Sequence, residues 1–97
     1  MKIIINSCYG GFDLSTWALD KAGIPYDDRG IYDLDDVDRT NPKLVAIVEE
    51  DSERASGDCA ELEVVEIPDN ATDWVIDEYD GCERVLYVVK GKIYGKG

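Results

Sequence analysis

The segment Asn6-Ser7-Cys8-Tyr9-Gly10-Gly11-Phe12-Asp13-Leu14-Ser15 holds the residue types best suited to chemistry. A strand, a glycine turn and a helix start in succession leave backbone N–H groups free, a setting that suits an anion. Ser7, Cys8, Tyr9, Gly10, Gly11, Phe12 and Ser15 are therefore the candidates for holding a phosphate-bearing nucleotide. No Gly-Lys-Ser/Thr follows, so this is not a Walker motif, and the GxGxxG fingerprint is also missing. A tight turn that needs glycine for its backbone angles is the plainer reading. Cys8 sits between strand and helix, as the nucleophile of cysteine phosphatases does. Those enzymes need an arginine a few residues further on, and that place is taken here by Leu14. The chain has no His, which removes the commonest general base for activating a thiol. Cys8 reads as a structural residue, and the sequence offers no catalytic set.

Carboxylates are the second chemical feature. Asp33, Asp35, Asp36 and Asp38 cluster within six residues, and Glu49, Glu50, Asp51 and Glu53 form a second group. The Asp33–Asp38 run lacks the central glycine and terminal glutamate of a calcium-binding EF-hand loop, so a solvated acidic loop is expected and no metal. Cys8, Cys59 and Cys82 lie 51 and 23 residues apart. That spacing gives no short pair for zinc, and an odd number does not complete a disulfide framework. No cofactor is expected.

Charge is unevenly spread over the 97 residues. Residues 1–83 carry 22 acids against six bases, a balance of −16, whereas residues 84–97 carry Arg84, Lys90, Lys92 and Lys96 with no acid. Such a surface repels nucleic acid, whose binding rests on phosphate neutralisation. It suits solubility, or docking on a basic protein surface by imitating a nucleic-acid backbone. No apolar run is long enough for a membrane span. Met1–Asn6 turns polar too early for a signal peptide, so free thiols in a reducing cytoplasm are expected.

The elements that must position these groups follow from pattern. Lys2–Asn6, with three β-branched residues in a row, reads as a strand covered on both faces. Ser15 caps a helix over residues 16–22 that Gly23 and Pro25 stop, with Leu14 and Leu19 as a hydrophobic staple. Leu14 and Trp17 should face the sheet. Asn41 and Pro42 start a second helix that runs to Glu50 or as far as Arg54. Strands follow over residues 62–67, 73–79 and 82–89, and Asp80-Gly81 is a strong hairpin signal. Val85–Val89 is apolar on both faces and reads as central. Residues 90–97 read as a frayed basic Gly/Lys tail. The expected fold is one α+β domain: a four-stranded, mainly antiparallel sheet with two helices on one face. Its core should contain Ile3, Ile5, Trp17, Leu19, Leu44, Val45, Ile47, Val48, Val64, Ile76, Val85 and Tyr87.

Lys2 to Ser15 resembles a family of small proteins of bacteriophages and prophages. The likeness resumes at Asp38–Val45 and Val48–Glu50, at Ala55–Gly57 and Val64–Asp69, and at Trp74–Gly81. Its most specific pieces are Cys-Tyr-Gly-Gly-Phe and Glu-Tyr-Asp-Gly. The resemblance implies a phage-encoded protein working in a bacterial cytoplasm and brings no catalytic residues with it. Together these readings give a non-enzymatic accessory protein that binds and inhibits a host protein, such as an antiviral defence component. Asp33, Asp35, Asp36, Asp38, Glu49, Glu50, Asp51 and Glu53 would meet a basic surface on that partner. Direct nucleic-acid and membrane binding are not expected, and a homodimer is allowed. The alternative is the nucleotide binder at Gly10-Gly11.

Overall fold

The computed structural model describes all residues, 1–97, as three layers. Strand β1 (Lys2–Asn6) pairs antiparallel with β2 (Leu62–Glu66), Ile4 opposite Val64. A second, three-stranded antiparallel sheet has the order β3 (Asp73–Tyr79), β4 (Cys82–Val89), β5 (Lys92–Lys96). Helices α1 (Thr16–Ala22), α2 (Pro42–Glu50) and α3 (Ser52–Ala55) form the remaining layer, and a 3-10 turn covers Leu34–Asp36. No helix is long and apolar enough to cross a membrane.

Strand β1 is the middle of the sandwich. Alternate side chains of a strand point to opposite faces, so Ile4 enters the helical core with Leu19, Leu44 and Val48. Ile3 and Ile5 enter a separate core with Val65, Ile67 and Val85. All three isoleucines are 0% exposed, which is what a run of three apolar residues in a strand demands. Each contributes roughly 1.5–3 kcal/mol relative to exposure.

The helix signals act as expected. The Ser15 hydroxyl accepts from the Ala18 N–H, and Gly23 ends α1 in the left-handed conformation. Asn41 accepts from the Lys43 and Leu44 N–H groups at the start of α2. The second helix stops at Glu50, because Asp51 breaks the helical backbone and caps the short α3 by accepting from the Arg54 N–H.

The single four-stranded sheet is corrected to two sheets, of two and three strands. The outer edge of β1 pairs with no strand. The Ile4 N–H donates to the Arg39 carbonyl, the Ile4 carbonyl accepts from Arg39 Nη1, and the Asn6 N–H donates to the Glu83 carboxylate. The Arg39 and Glu83 side chains, with the Arg39 carbonyl, thus occupy the edge at Ile4 and Asn6 where the other sheet would have joined. Residues 92–96, expected to fray, form β5, and β4 is indeed the central strand. Of the expected core, Trp17, Val64, Ile76 and Tyr87 are only half-buried. Trp17 lies under the Arg54 guanidinium and the Lys21 ammonium, 4.7 and 4.8 Å from its ring centre, instead of against the sheet. Leu14 is buried as expected.

Candidate functional site

Asn6, fully buried at the end of β1, organises the most distinctive segment. Its amide donates to the Cys8 and Gly81 carbonyls, each at 2.7 Å, and its side-chain oxygen accepts from the Glu61 N–H at 2.8 Å. The Cys8 thiol donates to the Cys59 carbonyl at 3.1 Å, lies 3.4 Å from the Asn6 side-chain oxygen, and accepts from the Gly10 N–H. Beside it, Arg39 grips Glu83 with two parallel hydrogen bonds of 2.9 and 3.1 Å. Glu83 is 8% exposed, and the Arg39 guanidinium covers the Phe12 ring at 3.6 Å. This bidentate, ring-stacked geometry suits arginine alone.

The glycines of this segment are set by close backbone approach. A Cβ on Gly10 would lie 1.6 Å from the Cys59 carbonyl oxygen, and one on Gly81 would lie 2.7 Å from both the Gly11 nitrogen and the Tyr9 oxygen. The Cys-Tyr-Gly-Gly-Phe turn and the Glu-Tyr-Asp-Gly hairpin therefore pack backbone to backbone. Phe12 to Ser15 separate the glycine turn from α1, and the Ser15 hydroxyl already caps that helix while donating to the Arg54 carbonyl. Ser7, Cys8, Tyr9, Gly10, Gly11, Phe12 and Ser15 do not converge on one cavity. Ser7 lines one groove and Tyr9 a different small cavity, while Phe12 lies under Arg39.

The acidic residues divide between the two ends of α2. Asp33 accepts from the Asp35 N–H to start the 3-10 turn, and Asp38 accepts from the Thr40 N–H and hydroxyl. Those two bonds stabilise the carboxylate and hold Asp38 below its ordinary pKa. Asp35 and Asp36 are exposed and join no ion pair. At the other end Glu49 binds Lys2 at 2.9 Å and Glu50 binds Lys21 at 3.1 Å. The Glu49 hydrogen bond and charge raise the Lys2 pKa. Asp51 is the α3 cap. Seven residues of helix, Pro42 to Val48, with about 10 Å of rise, lie between the two groups, so they do not form one face.

Glu53 alone of these eight borders the largest cavity. This open groove of about 630 Å³ runs beside α3 and β2 and is lined by Ser7, Glu53, Ser56, Asp58, Glu61 and Glu63 among others, with no lysine or arginine. Asp58, Glu61 and Glu63 were not singled out from sequence. The usable signal was the pair Glu61 and Glu63, two residues apart at a strand and thus on the same side of it, close after Asp58 in a turn. Carboxylates and hydroxyls without a neighbouring base accept hydrogen bonds from ammonium or guanidinium groups. No group of three or more His, Cys, Asp or Glu side chains is arranged to hold a metal ion. No family model, curated protein or solved structure matches this chain.

Proposed function

We propose that this chain is a non-enzymatic binding protein that presents its acidic groove to a basic surface of another protein. The observation that carries this reading is the groove itself, where Glu53, Asp58, Glu61 and Glu63 line one cavity without a compensating base. The charge balance of −16 over residues 1–83 supports it, because a field of one sign steers an oppositely charged partner and raises the rate of encounter. Asp35 and Asp36 add to that field from the far end of α2. Glu49, Glu50, Asp33, Asp38 and Asp51 serve first in ion pairs and caps, so their share in docking is smaller. The resemblance to phage proteins supports a partner in a bacterial host, with an antiviral defence component as the proposed target class and inhibition as the proposed outcome. The nucleotide reading fares less well, since the Cys59 carbonyl crowds Gly10 and Phe12 to Ser15 separate the turn from the start of α1.

The test is surface plasmon resonance against the host protein retained from a bacterial lysate. The association rate should fall steeply as salt rises past about 0.1 M, where screening acts over about 10 Å. Changing Glu53, Glu61 and Glu63 to Gln and Asp58 to Asn should slow association more than changing Asp33, Asp35, Asp36 and Asp38 to Asn. A rate indifferent to salt and to both sets would end the acidic-docking reading.

A further inference from the structure

The three-stranded sheet has two open edges of opposite charge. Strand β3 lies at one edge and carries Asp73, Asp77 and Glu78; β5 lies at the other and carries Lys92 and Lys96. Both hairpins of this sheet have two-residue turns, so the residues flanking each turn pair by hydrogen bonds with β4. Alternate residues then aim their backbone groups outward: Trp74, Ile76 and Glu78 in β3, Ile93 and Gly95 in β5. The Trp74 N–H shows this orientation directly, since it is taken by the Asp73 side chain and not by β4. Side chains are equally exposed at these edges, with Ile93 73%, Val75 53% and Tyr94 44% accessible.

We infer that β5 of one copy adds to β3 of a second copy as an antiparallel strand, joining molecules head to tail. One register meets every condition. With Ile93 opposite Ile76 and Gly95 opposite Trp74, outward-aimed backbone groups face one another. The intervening pairs are then Lys92 with Asp77, Tyr94 with Val75 and Lys96 with Asp73. These are the close, non-hydrogen-bonded positions, where opposite charges help most. Shifting by two residues in either direction leaves at least one lysine without its aspartate. The four-residue spacing of the lysines equals that of the aspartates.

The faces agree as well. Trp74, Ile76, Val85 and Tyr87 pack toward the Ile3 and Ile5 core, so Asp73, Val75 and Asp77 lie on the outer face. Tyr94 stacks on Tyr87 with 5.5 Å between ring centres, so Lys92, Tyr94 and Lys96 share the inner face. Antiparallel addition turns the second copy over and brings the inner row of β5 beside the outer row of β3. Asp77 gives one oxygen to Arg84 and Asp73 gives one to the Trp74 N–H, which leaves one oxygen on each for a lysine. In the complex the Trp74 N–H turns to the Gly95 carbonyl of the neighbour. Two β5 edges in the centred register instead oppose Lys92 to Lys96, and lysine on an edge strand resists such pairing. The edge of β2 offers no pair of acids four residues apart. The β5–β3 contact joins two different patches, so it forms an open chain and not a closed pair.

Sedimentation velocity at about 0.15 M salt tests this, since screening over about 8 Å weakens the distant repulsion between acidic bodies more than the touching pairs. The wild-type weight-average mass should rise with concentration past the dimer. K92E/K96E and D73K/D77K should each stay monomeric, and their equimolar mixture should associate again. Gly95→Pro should also stay monomeric, because it removes an N–H that only the intermolecular ladder uses, at an edge where proline is tolerated. Should a charge-reversed variant fail to fold, wild-type amide exchange at Ile93 and Ile76 replaces it, with slowing at higher concentration expected. A wild-type chain that stays monomeric, charge-reversed variants that associate like wild type, or exchange independent of concentration overturns the inference.

Discussion

The two ends of β4 are both hairpin turns with the same backbone geometry and opposite surroundings. At one end Asp80 and Gly81 have φ of 51° and 88°; at the other Lys90 and Gly91 have φ of 52° and 77°. Positive φ at both central residues is the turn that matches strand twist. The first turn is wedged against Tyr9 and Gly11 and lies next to the buried Glu83, whereas a Cβ on Gly91 would meet nothing within 4 Å. Local chemistry makes the turn in both cases. Tertiary packing decides whether that turn is a rigid joint or a free tip.

The largest effect should come from cutting the joint at its charge pair. Arg39→Met leaves the Glu83 carboxylate buried with only the Asn6 N–H as partner, which should cost about 3–5 kcal/mol. Urea denaturation reads it, and a loss near zero would mean that water reaches Glu83. Next is Gly81→Ala. It combines a left-handed backbone with a clash against two backbone atoms and should cost about 2–4 kcal/mol. Gly91→Ala meets only the backbone term, so about 1–2 kcal/mol is expected. Equal losses at the two glycines would erase the contrast between the ends.

The smallest effect concerns Asp38, whose bonds to Thr40 form the turn that aims Arg39 at Ile4 and Glu83. Its folded-state pKa is lowered by the Thr40 N–H, then by the hydroxyl. A depressed carboxylate adds stability above its unfolded pKa, near 3.9, and loses it as pH falls through the folded value. The stability gap between wild type and Asp38→Ala should therefore narrow below about pH 4. A gap that stays constant down to pH 2 would show that the carboxylate charge is not what holds this turn.

The same contrast explains what could be read from the sequence. Ser15, Asn41-Pro42 and Asp80-Gly81 act through bonds to residues within a few positions, so their signals are local and complete. The isoleucine run announced a strand covered on both sides, and it is. The pairing of Arg39 with Glu83 spans 44 residues, and nothing in either neighbourhood marks it. Without that pair the natural guess for the β1 edge is another strand, hence the expected single sheet. Strand β5 escaped because Lys92-Ile93-Tyr94-Gly95-Lys96 puts little apolar area on either face; its register comes from the Lys90-Gly91 turn and from Tyr87. The acidic groove depends on α3 lying beside β2, so only Ser7 and Glu53 of its lining were in view.

The burial of β1 also sets a timetable for biosynthesis. Its three isoleucines need covering from both sides, and the carboxylate that closes its edge at Asn6 arrives 77 residues later. At about 5–20 residues per second that interval is roughly 4–15 s. During it the helices and β2 emerge, but Ile3 and Ile5 still lack Val85 and the edge at Asn6 stays open. Net negative charge over the intervening chain opposes association of that waiting intermediate. Contacts of such span also predict folding toward the slow end for a chain of this size, so a nascent-chain release assay should find β1 protease-sensitive until Glu83 has left the ribosome.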